Sequence, residues 1–391
     1  MNTNKKTATL KNTNEQLDIK AAVLNGANQK LEVSDLKLDP PKASEVLVKI
    51  VSSGVCHTDA TVIDRTIPIP LPAALGHEGA GIVEKVGSQV ENFKKGDHVI
   101  IGYAYCGQCK YCKAGMPGSC VRLGELNMGT GRMKDHTTRI HTKDGKDVSN
   151  FFGQSSLSTY AVADQNNLVK VANNVDLRYV GPLGCGFMTG SGTVLSTRAL
   201  NPEAGSNIAV FGTGAVGLAA IMAGKIASCD HVIAVDIVDS RLKLALKLGA
   251  TDIINSKNTD PVKKIKQITN GWGVDNAVDT TGVPPVTKSG IDSLSINGKI
   301  APLAVSNKTV TFNPLMDLTV PTRKFIGSAE GNVVPQEFIP RLVELRRKGE
   351  FPIDKLTKFY SLDQVNQAFE DSKNGKTVKP VIIMDKDYQP G

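Results

Sequence analysis

Nowhere in the 391-residue chain does an unbroken apolar run approach the roughly 18 residues a transmembrane helix needs, so no membrane span is expected. The opening MNTNKKTATLKNTNEQLD carries two early lysines with no apolar stretch behind them, which argues against a secretory leader. Few arginines and no amphipathic period argue against a transit peptide, and a cytoplasmic setting is expected. Aromatic residues are scarce. One Trp, seven Tyr and eleven Phe accompany 46 Lys and Arg, the lysines are scattered rather than gathered into a stripe, and no nucleic-acid-binding motif is present. The net charge of +8 therefore reads as a solvated, lysine-rich surface with at most a mild bias toward anionic ligands. Neither a nucleic acid nor a membrane is an expected partner.

What is present is a chain long enough for two or three domains of about 150 residues each. Its seven cysteines are an odd number, and four of them crowd into YCGQCKYCKAGMPGSC. In a large chain this pattern suggests metal ligation rather than disulfides. Cys106, Cys109, Cys112 and Cys120 are spaced three, three and eight apart, close enough for turns to bring four sulfurs to one centre. Zinc accepts four thiolates tetrahedrally and keeps no position open, so such a site is structural. Iron would fit the same sulfur set. Cys229 reads as an ordinary thiol.

A second signal begins at residue 207, NIAVFGTGAVGLAAIMAGKIA. A strand-like apolar run ends in Gly212, Gly214 and Gly217 at G-x-G-x-x-G spacing, and an alanine-rich helix follows at once. This is the context in which glycines form a tight turn, let a backbone approach a pyrophosphate and let helix pack on strand. The next strand, HVIAVD, ends in Asp236, placed to accept hydrogen bonds from ribose hydroxyls and to repel a 2′-phosphate. That favours NAD over NADP, and Arg241, five residues on, softens the preference. Further alternation follows: DSRLKLALKLG as helix, TDII as strand, PVKKIKQITN as helix, VDNAVDT as strand, a helix over 286–295, GKIAPLAV as strand, and a last strand over 324–329. Such alternation predicts a doubly wound parallel sheet.

Outside that block, segments such as EVLVKIVSSGV and GAGIVEKVGSQV suggest a twisted, mostly antiparallel barrel. The expected organisation is a loose N-terminal tail over 1–18, a barrel domain over 19–185 containing the cysteine loop, a nucleotide domain over 186–325, and a return to the first domain over 326–391. A cleft lies between the two. Three scattered residues remain: Cys56 in GVCHTD, His77 in LGHEG and Cys185 in GPLGCGFMTG. Singly, each fits a buried core thiol or a satisfied loop histidine. Together they make a Cys, His, Cys set that leaves a fourth zinc position open.

GVCHTD, LGHEGAGIVEKVG, KKGDHV, the four-cysteine loop, GPLGCG and GTGAVG followed by Asp236, in this order, resemble the zinc-dependent medium-chain alcohol dehydrogenases, from about residue 19 to the end. The resemblance implies an α/β protein: a GroES-like twisted β-barrel catalytic domain joined to a Rossmann domain. It implies NAD and two Zn2+ per subunit, a catalytic zinc on Cys56, His77 and Cys185 and a structural zinc on the four clustered cysteines. It places Glu78 behind the catalytic zinc, His57 near the cofactor pyrophosphate and Thr58 on the substrate oxygen. A small-molecule alcohol or aldehyde is the implied partner, in a homo-oligomer that is either dimer or tetramer. NFFGQSSLSTYAV and GPLGCGFMTGSG further resemble bacterial aryl-alcohol (benzyl-alcohol) dehydrogenases.

The implied reaction is reversible oxidation of a primary aromatic or allylic alcohol, with zinc as Lewis acid and hydride passing to NAD. Many family members end their proton relay in a histidine five residues after the first zinc cysteine, where this chain has Thr61. Phe151, Met188 and Leu303 are candidate pocket walls that fit plain core equally well. Two alternatives stand beside this reading. One is a glutathione-dependent formaldehyde or short-chain aliphatic alcohol dehydrogenase. The other is a non-catalytic NAD-binding structural protein, against which the open-site set argues.

Overall fold

The computed structural model describes residues 15–391, so the expected tail over 1–18 lies, up to residue 14, outside the described residues. Three sheets organise the chain. The first strand, Leu17–Leu24, pairs antiparallel with Glu32–Leu38 in a register running from Leu17↔Leu38 to Val23↔Glu32. Ala73–Ala74, Ile140–His141 and Asp147–Val148 complete that sheet.

The second sheet is built around Glu45–Gly54, buried at every position except Lys49. So continuous a buried run belongs to a strand covered on both faces. It pairs with Gly79–Val86 through two register irregularities, and bulges of this kind bend and twist a sheet. His98–Ile101, Leu168–Val171 and Tyr160–Asp164 extend it. From the far end of the chain, Lys379–Ile383 pairs antiparallel with Glu45–Gly54 and parallel with Thr357–Ser361. The C-terminal segment thus delivers residues directly beside the strand that leads to Cys56.

The third sheet is wholly parallel, in the order Asp252–Asn255, His231–Asp236, Asn207–Phe211, Val274–Asp279, Leu294–Pro302, Lys324–Phe325. The strand order reverses between Asn207–Phe211 and Val274–Asp279, which opens a crevice at the strands' carboxyl ends. Two local expectations shift. The helix expected over 286–295 runs Pro284–Asp292, started by a proline in its first turn. The strand expected over 324–329 pairs only at Lys324–Phe325. Its neighbour ends at Pro302, which has no N–H to continue the ladder, and the chain then turns at Glu330, Gly331 and Asn332, with φ of 51°, 77° and 52°.

The two halves meet where helix Gly186–Leu195 packs on helix Ala215–Ile226. Gly190 permits it: a Cβ there would lie 3.0 Å from the Ala219 methyl and closer still to the Val216 carbonyl. The contact sets Cys185, just before one helix, near the first turn of the other, where a Cβ on Gly186 would lie 3.6 Å from Val216 Cγ2. Buried Phe187, Met188, Leu218 and Met222 join a single apolar core across the junction. Among the described residues no helix is long and apolar enough to cross a membrane.

Candidate active site

The four clustered cysteines converge, with their sulfurs all within 4.8 Å of one another. Cys109 Sγ lies 3.5 Å and Cys106 Sγ 3.9 Å from Cys112 Sγ. A tetrahedron with metal–sulfur bonds of about 2.3 Å has edges of about 3.8 Å, so the spacing fits one metal ion and is far beyond a disulfide bond of about 2 Å. All seven cysteines are free. Backbone N–H groups point at the sulfurs: Cys109 donates to Cys106 Sγ at 3.3 Å, Cys106 to Cys120 Sγ at 3.3 Å and Arg122 to Cys120 Sγ at 3.4 Å. Backbone donors hold the Cys109 thiol down at about 6, so it ionises readily for a metal. The fourfold sulfur set leaves no position for a substrate.

The open cluster joins Cys56, His77, Glu78 and Cys185, whose ligand atoms also lie within 4.8 Å of one another. Each comes from a different place. Cys56 ends the turn after Glu45–Gly54 and caps helix His57–Ile63; His77 and Glu78 precede Gly79–Val86; Cys185 caps helix Gly186–Leu195. His77 is 1% exposed and its Nδ1 lies 3.1 Å from the buried Asp59 carboxylate, which leaves Nε2, without a hydrogen-bond partner, for a metal. Burial opposes charge on this ring, yet Asp59 and Cys56 hold its pKa above the ordinary histidine value. A hydrogen bond from Cys185 lowers the Cys56 pKa well below that of a free thiol. Two sulfurs, of which Cys56 favours thiolate while Cys185 is pushed up as its hydrogen-bond donor, and an imidazole nitrogen are a zinc donor set, and the fourth group within reach, Glu78, is paired with Lys379.

Glu78 is fully buried and Lys379 nearly so, with the lysine Nζ 2.9 Å from both carboxylate oxygens. Burial pushes the Glu78 carboxyl up to about 7 while Lys379 pulls it down. Phe152 stacks on the His77 ring at 4.6 Å and Phe151 meets it edge-on at 5.4 Å. The Gln154 amide donates to the His77 carbonyl at 3.0 Å and its carbonyl accepts from Gly79 N–H at 3.2 Å. The FFGQSS segment therefore packs around His77 directly. Phe151 and Met188 are wholly buried, whereas Leu303 is partly buried. The Thr58 hydroxyl lies 3.7 Å from Cys56 Sγ, and His57 is exposed. Thr61 is 2% exposed and its hydroxyl donates to the Thr58 carbonyl at 2.7 Å.

On the nucleotide side, Gly212 has φ +87° and its N–H bonds the Val235 carbonyl at 2.8 Å, which fixes the turn. A Cβ added to Gly214 would meet nothing within 4 Å, so open space stands before the N-terminus of the twelve-residue helix Ala215–Ile226. That cradle fits a pyrophosphate. Gly217 packs against the Gly212 carbonyl. Asp236 accepts from Thr213 N–H and Oγ1, both at 2.7 Å, and from Ile237 and Val238 N–H at 2.7 and 3.0 Å. Its carboxylate thus ties the glycine loop to the strand end. The Arg241 guanidinium lies beside Gly375, its Nε buried without a hydrogen-bond partner.

Sequence reading missed Asp59, Gln154, Lys379 and Glu330. Asp59 and Gln154 sit inside motifs already singled out. Lys379 shows only as a lysine opening the apolar strand KPVII, and Glu330 gives no signal at all. Glu330 lines the site from the turn after the sixth parallel strand, its carboxylate accepting from the Thr189 hydroxyl at 3.3 Å.

Comparison with known proteins accords with this geometry. Residues 42–173 match the "Alcohol dehydrogenase GroES-like domain" family model and residues 215–346 the "Zinc-binding dehydrogenase" model. The chain is 37% identical to a geraniol dehydrogenase of Castellaniella defragrans over 96% of this chain and 100% of that protein. It is 39% identical to a probable S-(hydroxymethyl)glutathione dehydrogenase of Schizosaccharomyces pombe, over 94% and 97%. The crystal structure of benzyl alcohol dehydrogenase from Acinetobacter calcoaceticus superposes with a TM-score of 0.90 at 44% identity, covering 94% of this chain and all of that one. With the sulfur clusters, the glycine loop and full-length similarity in agreement, the chain belongs to the zinc-dependent medium-chain alcohol dehydrogenase family.

Proposed function

We propose that the protein oxidises primary aromatic or allylic alcohols, of the benzyl-alcohol type, to aldehydes with NAD as hydride acceptor, and runs the reverse reaction as well. The observation that carries this reading is the junction at which helix Gly186–Leu195, which starts at Cys185 of the Cys56, His77, Cys185 set, packs on helix Ala215–Ile226, which starts at the glycine loop. In it, Cys56, His77 and Cys185 hold the catalytic zinc and Cys106, Cys109, Cys112 and Cys120 the structural one. When bound, zinc supplies Lewis acidity and NAD accepts hydride. Thr58 hydrogen-bonds the substrate hydroxyl, and Asp59 orients His77. Glu78, neutralised by Lys379, stands behind the ligands. Gly212, Gly214 and Gly217 cradle the pyrophosphate with His57 nearby, and Asp236 and Arg241 flank the adenosine ribose. Residues 19–185 with 326–391 form the catalytic unit and 186–325 the nucleotide unit.

Asp236→Ala is expected to shift the ratio of kcat/KM for NAD over NADP by about tenfold towards NADP, equivalent to about 1.4 kcal/mol. An unchanged ratio contradicts the ribose role.

Support for the aromatic or allylic substrate comes from the benzyl alcohol and geraniol dehydrogenase relatives and from the Phe151 and Phe152 rings around His77. The S-(hydroxymethyl)glutathione dehydrogenase relative favours a second reading, a glutathione-dependent formaldehyde dehydrogenase. NADH formation from benzyl alcohol, cinnamyl alcohol, geraniol, ethanol, and formaldehyde with glutathione separates the two. Preference for the first three is expected; preference for the glutathione adduct or ethanol overturns the substrate assignment.

We also propose a cytoplasmic homo-oligomer. The free cysteines suit a reducing compartment. Leu315, Met316, Val320 and Phe325, all exposed beside edge strand Lys324–Phe325, supply an apolar face for a second copy.

A further inference from the structure

We propose that Glu330 is the proton acceptor of this active site, taking up, directly or through one water, the proton that the alcohol hydroxyl gives up as its carbon loses hydride. The inference rests on the alcohol-dehydrogenase reading above. In the step, the O–H bond breaks and its electron pair becomes the second C–O bond of the aldehyde. The carbinol C–H bond breaks with its pair going to the nicotinamide, and the proton ends on a Glu330 carboxylate oxygen.

Three observations carry it. First, Thr61 is unavailable: it is buried and its hydroxyl donates to the Thr58 carbonyl, so it offers no base at neutral pH. Second, Glu330 faces the open cluster. Its carboxylate bonds Thr189, one turn past Cys185 on helix Gly186–Leu195, and the titratable groups around it are Cys56, His77, Glu78, Cys185 and Tyr103. The Thr189 hydroxyl engages only one of its oxygens, and the residue stays partly exposed. Tyr103 is 1% exposed and its hydroxyl has no protein partner, so a polar ligand or water belongs there. Third, the carboxylate is held by construction. Glu330 sits at φ +51° in a turn fastened to the same helix by Thr193 Oγ1 to Ser328 Oγ at 2.8 Å and by Ser196 Oγ to the Asn332 carbonyl at 2.9 Å. Left-handed backbone at a non-glycine residue recurs at functional sites.

The test compares the zinc-replete protein with Glu330→Gln and Glu330→Asp. Glu330→Gln is expected to lower kcat for benzyl alcohol oxidation by about 10²-fold with zinc content and KM retained. Wild-type kcat should fall towards acid pH, because a protonated carboxyl no longer accepts, and the Gln variant should lose that limb. Glu330→Asp should keep the limb and part of the rate. Independently of turnover, trifluoroethanol binding to the protein–NAD complex at pH about 7.5 is followed with an indicator dye. Glu330→Gln should release more protons to the buffer than wild type. A Gln variant with wild-type kcat, pH profile and proton release overturns the role of Glu330 alone. A zinc-loaded wild type that forms no NADH from any primary alcohol overturns the underlying reading and Glu330 with it.

Discussion

Replacing Cys56 by serine is expected to lower kcat/KM for alcohol oxidation by about 10³-fold or more. Outer-shell partners of a metal ligand are worth about 10–100-fold, and a ligand itself exceeds that. The serine hydroxyl stays protonated at neutral pH where the Cys56 thiol, lowered by Cys185 and His77, favours thiolate. Only three donors besides the already paired Glu78 build this cluster, so losing one leaves a two-point site. Cys56 is part of no other metal cluster, so far-UV circular dichroism should be unchanged. Near-wild-type turnover in a folded variant contradicts the assignment of Cys56 as a ligand.

Lys379→Met is expected to destabilise the protein by about 3–5 kcal/mol, because it strands the buried Glu78 carboxylate without a partner. Removing both charges in Lys379→Met with Glu78→Gln should recover most of that loss, since paired removal leaves no orphan charge. Urea unfolding midpoints measure both. A double variant no more stable than the single one would mean that Lys379 acts through something other than neutralising Glu78. Through this pair the returning C-terminal strand places a cation against Glu78, 301 residues away in the sequence.

What could be read from the sequence is what is local. The cysteine loop packs four donors into fifteen residues, and the strand, glycines and helix from Asn207 to Ile226 form one continuous unit. The Cys56, His77, Cys185 set was legible only through family resemblance, because its spacings of 21 and 108 residues carry no signature of their own. Lys379 and Glu330 were not legible. Each acts at a partner across the fold, 301 residues away for Lys379 and Glu78 and 141 for Glu330 and Thr189. Glu330 lies moreover just past the strand expected over 324–329, in a left-handed turn that alternation does not foretell. FFGQSS was readable as a motif but not as a shell around His77, since Phe151 and Phe152 meet its ring, and Gln154 its carbonyl, only after the sheets close. Asp236 was correctly placed at its strand end, whereas its hold on Thr213 follows from loop conformation rather than composition.

The most direct test of the central claim, that Cys56, His77 and Cys185 form an open zinc site for alcohol oxidation, is the zinc content per chain of wild type and Cys56→Ser, measured by elemental analysis alongside NADH formation from benzyl alcohol. About two zinc ions in an active wild type and about one in an inactive Cys56→Ser are expected, the retained ion belonging to the closed four-cysteine site. Two ions retained in Cys56→Ser, or an active wild type holding only one, would contradict it.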